Sequence, residues 1–200
     1  MDNLPIVFAQ QELGIFEKEY NFCAHERKTF EEIQCAIVQN DVSKLRWFAG
    51  FGDRLRAVLL NVHAYRMGLG FGFEKIDFDV YGWLLRPAFL DVEELRFGLA
   101  DKSRYGNYSS ISLGHGPNGI WTYGMSISYG TAGSACGLSV YGPVFSGRQQ
   151  VLDAALVVLK GEMEDKVGNK DTTNYHQKVI LATLKSIEET SFGQVQLSLF

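Results

Sequence analysis

The chain has 200 residues, of which 46% are hydrophobic and 13% aromatic. This length and composition fit a folded chain with a substantial core and exclude an intrinsically disordered one. The formal net charge of −4 excludes the strongly basic composition that is typical of a stand-alone nucleic-acid-binding protein.

Targeting signals are missing from this sequence. No apolar run approaches the roughly 20 residues that span a bilayer, and Met1 to Pro5 lack a charged region followed by an apolar one. The three cysteines have neither disulfide-framework nor structural-zinc spacing. We therefore expect a cytoplasmic protein with no membrane partner and no cofactor.

Helix signals fill the first 70 residues. Thr29-Phe30-Glu31-Glu32 reads as a capping box followed by an apolar stripe of helical period. Asp41 is placed to cap a short basic helix over about Val42 to Ala49, and Asp53 to cap a longer one. The longer helix is expected to end in the glycine-rich stretch 68–72.

The segment that carries these two helices is basic and rich in aromatic residues. Asp53 is the only acid between positions 44 and 66, and Trp47, Phe48 and Tyr65 lie among the cations. The pattern predicts a phosphate-facing surface for nucleic acid. The alternative is a solvated helix face on which the aliphatic stems of arginines pack. The cations of this segment are Lys44, Arg46, Arg54, Arg56 and Arg66.

Ile76 to Val80 alternates apolar and acidic residues, which predicts a half-buried strand. Asp77 and Asp79 would then project from one face of that strand. Paired carboxylates hold divalent cations in nucleotidyl- and phosphoryl-transfer enzymes, so the two residues are candidate metal ligands. The other interpretation is that the two acids lie on the solvent-exposed face of an amphipathic strand, whose apolar residues form the buried face.

The middle of the chain predicts a strand meander. Strands are expected over Ser110–Leu113, Ile120–Tyr129 and Gly137–Tyr141, whereas Asp91 to Glu94 resembles a short capped helix. Gly114 to Gly119 matches G-x-G-x-x-G, but a strand follows it where a dinucleotide site requires a helix. The glycines therefore predict a hairpin turn.

Two more helices are expected after the meander, one opened by Ser146 to Gln149 and one over about 172–189. The order of elements predicts an α+β fold. It has N-terminal helices, a central antiparallel β-meander, and C-terminal helices packed on one face of the sheet. We expect a single domain over residues 1–190, helical over 1–70, strand-rich over 71–145 and helical over 146–190.

The segment 191–200 lacks a helical period and contains Gly193, which predicts an extended tail. It ends in the pentapeptide Gln196-Leu197-Ser198-Leu199-Phe200. This pentapeptide resembles the short peptide by which bacterial polymerases, mismatch-repair proteins and replication regulators dock on the DNA sliding clamp. The resemblance implies that Leu199 and Phe200 fill an apolar subsite and that Gln196 hydrogen-bonds in a second one. The alternative is a last β-strand that faces the core.

The resemblance implies a non-catalytic accessory protein of DNA replication or repair, from a bacterium, phage or plasmid. Its partners would be the sliding clamp and DNA. Recruitment and inhibition use the same clamp pocket, so the motif is compatible with both. Two other functions stay open. One is a metal-dependent nucleotidyl- or phosphoryl-transfer enzyme that uses Asp77 and Asp79. The other is a nucleic-acid- or protein-binding module that does not bind the clamp.

Overall fold

The structure is a computed structural model that describes Phe8, residues 10–104 and residues 106–197, with the backbone alone for 10–12 and 191–197. Within these ranges it contains six α-helices and one four-stranded antiparallel sheet, which confirms the α+β class. The elements are α1 (Gln10–Glu19), α2 (Ala24–Val38), α3 (Val42–Ala49), α4 (Leu55–Leu69), β1 (Leu90–Gly98), β2 (Tyr108–His115), β3 (Trp121–Ser128), β4 (Gly133–Cys136), α5 (Arg148–Glu164) and α6 (Gln177–Leu197).

The chain divides into two compact units, Met1–Pro87 and Ala88–Phe200. This differs from the single domain expected over 1–190. Each unit buries its own set of apolar side chains. The division follows because the apolar stripes of the N-terminal helices are buried against one another, and a unit with its own core can fold as a body of its own.

The first unit is a packed group of helices whose buried side chains include Phe30, Leu45 and Leu59. Asp41 caps α3 as expected, because its carboxylate accepts the Lys44 backbone N–H at 3.0 Å.

The start of α2 differs from the capping box expected at Thr29 to Glu32. The helix begins at Ala24, where the Glu26 carboxylate accepts the Cys23 N–H at 2.9 Å.

The residues after α4 form a short hairpin, which we call the 76–85 hairpin. Its arms meet in an antiparallel bridge between Phe78 and Leu84. The expectation of a half-buried strand over Ile76 to Val80 is wrong. Phe78 forms only an isolated bridge and Val80 lies in a turn. Phe78 is also 37% exposed and Val80 is 92% exposed, so these apolar side chains do not form a buried face.

The second unit is the antiparallel meander β1-β2-β3-β4 with two helices. In its register Ile111 lies opposite Met125, and Leu113 lies opposite Tyr123. Alternate residues of a strand share one face, and this face is buried in the same cluster as Leu159 of α5 and residues of α6. The helices therefore cover one face of the sheet, as the sequence predicts.

Two of the expected elements of the meander are wrong. Asp91 to Glu94 belongs to β1, where pairing of Glu93 with Leu113 of β2 overrides the local helix-capping signal. Gly137 to Tyr141 is a loop, and the last strand is β4, four residues earlier in the chain. The hairpin turn at Gly114 to Gly119 is confirmed, because it joins β2 to β3.

His115 links that hairpin to the start of β1. Its Nε2 lies 2.9 Å from Asp91 Oδ2, and its Nδ1 lies 2.8 Å from the Gly116 carbonyl oxygen. The hydrogen bond with Asp91 and, next, the one with Gly116 raise the pKa of His115 above its usual value. Because the pKa is raised in the folded state, the resulting stability is full below the unfolded pKa of about 6.5 and is lost as pH rises through the folded pKa.

We therefore expect Asp91→Asn to destabilise the second unit more at about pH 5.5 than at about pH 8.5. Chemical denaturation of both proteins at the two pH values measures this difference. The control is the same substitution in a His115→Gln background, where the loss of stability caused by Asp91→Asn should not change with pH. If Asp91→Asn lowers the free energy of unfolding equally at both pH values, or more at the higher one, the bond with Asp91 does not raise the pKa of His115.

Candidate functional site

The first unit carries an open groove of about 660 Å³. One wall is the turn between α3 and α4 together with the first turn of α4, and the other wall is the 76–85 hairpin. The larger side chains that line it combine cations, one acid and aromatic rings. They are Asp53, Arg54, Arg56, Phe78, Tyr81 and Trp83.

The start of α4 brings two cations to the groove. Arg54 occupies the position that precedes the helix, with extended backbone and no capping hydrogen bond from its own side chain. The sequence predicts Asp53 at this capping position, and that expectation is wrong by one residue. Arg54 and Arg56 are both exposed, and both line the groove.

Asn61 holds the two walls together. This α4 side chain is 2% exposed. Its amide donates to the carbonyl oxygens of Phe51 and Gly82, each at 2.8 Å, and its oxygen accepts the Leu84 N–H at 3.0 Å. Since these groups belong to the α3–α4 turn and to the hairpin, one buried amide determines the separation of the walls.

Asp79 shapes the tip of the hairpin. Its Oδ1 accepts the backbone N–H groups of Tyr81 at 2.8 Å and Trp83 at 2.9 Å. Between them lies Gly82, with a φ of 81° that a side chain would rarely adopt. Asp77 forms an ion pair with Lys75. Both candidate metal ligands are thus engaged in the hairpin.

The metal hypothesis gains no third ligand from the part of the chain that the structure describes. No group of three His, Cys, Asp or Glu side chains within it could hold an ion.

His25 and His63 form a stacked pair beside Cys23, with their ring centroids 3.7 Å apart. Burial, followed by the charge of His25, lowers the pKa of His63. The lowered pKa favours the uncharged form of the His63 ring.

The hairpin carries two exposed aromatic side chains. From the sequence, Trp83 is a possible stacking platform for bases but core packing is favoured for it, and Tyr81 is left unassigned. Tyr81 is 83% exposed and Trp83 is 44% exposed. Exposed apolar surface of this kind marks interaction sites. The signal in the sequence is Gly82 between Tyr81 and Trp83, because glycine is typical of tight turns.

The structure separates the five predicted phosphate-facing cations. Arg54 and Arg56 line the groove, whereas Lys44 and Arg46 lie on α3 outside it. Arg66 is engaged within the unit, where it donates to both carboxylate oxygens of Glu32 at 3.2 and 2.6 Å. The prediction of nucleic-acid contact is therefore kept for the first two arginines.

The predicted clamp-docking peptide begins on α6. The backbone is helical as far as Leu197, so the expected extended conformation is wrong for residues 191–197. Ser198, Leu199 and Phe200 lie outside the described residues. Among the described side chains, the last α6 residue in the core of the second unit is Ile187. Gln196 follows it by nine residues, roughly 14 Å along a helix axis.

No model of a known protein family matches this chain, and searches of curated proteins and of solved structures give no match. Its function is therefore inferred from its own residues and geometry. Among the helices of the described ranges, none combines the length and the apolar character that crossing a bilayer requires.

Proposed function

We propose that this protein is a non-catalytic accessory protein of DNA replication or repair that docks on a bacterial sliding clamp in the cytoplasm. The observation that carries the proposal is the pentapeptide Gln196-Leu197-Ser198-Leu199-Phe200. Full burial of Leu199 and Phe200 in a partner's pocket would contribute roughly 1.5–3 kcal/mol each. The Gln196 amide supplies donors and an acceptor that fix the orientation of the peptide.

The position of the peptide supports docking. Among the side chains that the structure describes, the last α6 residue of the core is Ile187, and the pentapeptide begins nine residues after it. An extended peptide would require the last turn of α6 to unwind. The last four carbonyl groups of any helix lack intrahelical partners. Gly193 costs a helix about 1 kcal/mol relative to alanine. Gly193 therefore makes unwinding of the end of α6 less costly than it would be with alanine at that position.

Binding of the full chain to a purified bacterial sliding clamp tests the proposal. The double variant Leu199→Ala, Phe200→Ala should bind about 10²–10⁴-fold more weakly, since two buried side chains are lost at roughly 1.5–3 kcal/mol each. A chain that ends at Val195 should show no specific binding.

The matched control is Leu181→Ala, which shortens a side chain of α6 that is 52% exposed and lies outside the pentapeptide. This variant should bind the clamp like the wild type. Equal clamp affinity of the wild type and the double variant would overturn the proposal. An equal loss of clamp binding in the Leu181→Ala control would also overturn the proposal, because the loss would then depend on α6 as a whole and not on the pentapeptide.

A further inference from the structure

The groove of the first unit has no part in clamp docking, yet it gathers features that a folded unit does not need for its own core. We infer that this groove binds the unpaired nucleotides of single-stranded DNA. Tyr81 and Trp83 stack on bases, and Arg54 and Arg56 contact phosphates. The inference uses none of the clamp-docking residues, so either proposal can fail without the other.

Charge at the groove favours an anionic ligand. Two arginines and Asp53 line it, so the local charge is +1 (two minus one), whereas the whole chain carries −4. Within the described residues, the Arg54 guanidinium makes no hydrogen bond or ion pair. The Arg56 guanidinium lies 5.9 Å from the ring centroid of Tyr20. Arginine presents planar donors that match phosphate oxygens, and phosphate contacts dominate affinity for nucleic acids.

The aromatic wall favours bases as the second part of the ligand. Exposed rings next to cations are the platform on which successive bases stack in proteins that bind single strands. Stacking contributes about 1–3 kcal/mol per base and tolerates every base, because each has a π-face. The volume of about 660 Å³ is that of a small-molecule pocket, which is enough for a base and its sugar.

The geometry also separates the candidate nucleic acids. A duplex hides the faces of its bases, so the ring faces of Tyr81 and Trp83 would have no partner on it. Besides the charged residues, the lining side chains that can hydrogen-bond are the Tyr81 hydroxyl and the Trp83 indole. This leaves few groups to read base edges or a ribose 2′-hydroxyl, which is how proteins distinguish RNA. We therefore expect the groove to bind single-stranded DNA without sequence preference and to have no preference for RNA over DNA.

The polar backbone of the hairpin holds the rings ready for a ligand. The Tyr81 and Trp83 N–H groups both donate to Asp79, and Asn61 binds the carbonyl between them. A platform that is fixed before binding loses less conformational freedom on association. Alanine at position 81 or 83 keeps these backbone bonds, so both substitutions remove a ring and leave the hairpin in place.

Fluorescence anisotropy with a labelled oligothymidylate of about 15 nucleotides tests the inference. The full-length wild type should bind the single strand. The Tyr81→Ala and Trp83→Ala variants should each bind about 5- to 100-fold more weakly, the fold-change that corresponds to one lost stacking contact. The double variant Arg54→Gln, Arg56→Gln should bind more weakly and should lower the slope of log affinity against log salt by about 1–2.

One substitution should strengthen binding. Asp53→Asn removes the only acid that lines the groove, so affinity for the oligonucleotide should rise several-fold at low salt. Tyr141→Ala and Arg104→Gln, which change an exposed tyrosine and an exposed arginine of the second unit, are the matched controls and should leave affinity unchanged.

Three results would overturn the inference. They are wild-type affinity in the ring and arginine variants, a duplex of the same length bound as tightly as the single strand, and an RNA strand bound more tightly than the DNA strand. Clamp binding by the same groove variants should remain at the wild-type level. This separates a failure of the groove from a failure of the docking proposal. Circular dichroism of every variant confirms that it is folded.

Discussion

An Asn61→Ala variant is expected to lose about 3–5 kcal/mol of stability in the first unit, and to lose the groove with it. The Asn61 side chain is 2% exposed and makes three hydrogen bonds to backbone groups. Alanine leaves two carbonyl oxygens and one N–H without their partner. A buried polar group left without a partner costs about 1–3 kcal/mol. The bond to Phe51 is fully buried, and the other two are partly buried.

Chemical denaturation followed by circular dichroism measures the loss. Asn61→Asp is the informative comparison, because an ionised carboxylate still accepts the Leu84 N–H but cannot donate to the two carbonyl oxygens. It should also be destabilised, since it places a charge beside those oxygens in a buried position. An alanine variant within about 0.5 kcal/mol of the wild type would show that Asn61 does not hold the walls together.

The consequence for binding follows from the same bonds. Without Asn61 the hairpin loses its connection through Gly82 and Leu84, so the aromatic wall is no longer positioned opposite Arg54. Affinity for single-stranded DNA should therefore fall in Asn61→Ala at a temperature at which the protein remains folded. The proposed clamp-docking pentapeptide belongs to the other unit, so clamp binding should not change.

A Gly124→Ala variant is expected to lose about 1–3 kcal/mol in the second unit, the usual cost of forcing an added methyl into packed structure. A Cβ on Gly124 of β3 would lie 2.6 Å from Gly137 C and from Leu138 N, and 2.8 Å from the Cys136 carbonyl oxygen. All three are backbone atoms. The chain after β4 must therefore move away from the sheet, because no side-chain rotation relieves these contacts.

Gly137→Ala is the matched control in the same region. A Cβ there would meet nothing within 4 Å, so its stability should stay within about 0.5 kcal/mol of the wild type. Replacing a glycine can even stabilise a protein slightly, by reducing the freedom of the unfolded chain. Thermal unfolding of the two variants side by side decides the matter. If the two variants unfold at the same temperature, the close approach of the chain to β3 at Gly124 does not contribute to the free energy of unfolding.

Elements governed by near neighbours were predictable from the sequence. The span of α3 follows from the Asp41 cap and a local apolar period. The Gly114 to Gly119 turn follows from its glycines, and the stripe of α5 follows from Leu152, Leu159 and their neighbours. Each depends on residues within one or two helical turns or one hairpin, where intrinsic propensity and capping act.

Elements governed by distant partners were not predictable in this way. Asp91 to Glu94 carries a helix-like signal but pairs with β2, about twenty residues further along the chain. Phe78 and Val80 alternate with acids like residues of a half-buried strand, yet Phe78 makes only an isolated bridge with Leu84 and Val80 is 92% exposed. Arg66 is predicted from the sequence to face phosphate, but its guanidinium donates to the carboxylate of Glu32 on α2, 34 residues earlier in the chain.

The sequence by itself determined the helical and strand-rich regions and the α+β class. The proposal of clamp docking also comes from the sequence alone, because it depends on the order of the side chains in one pentapeptide. Only the tertiary structure decided that the chain divides into two units and that a groove exists. Arg54 and Trp83 are nearly 30 residues apart, and the buried Asn61 amide brings their segments together. Side-chain hydrogen bonds of this range leave no period or motif in a sequence, so they become visible only when the fold has placed the partners in contact.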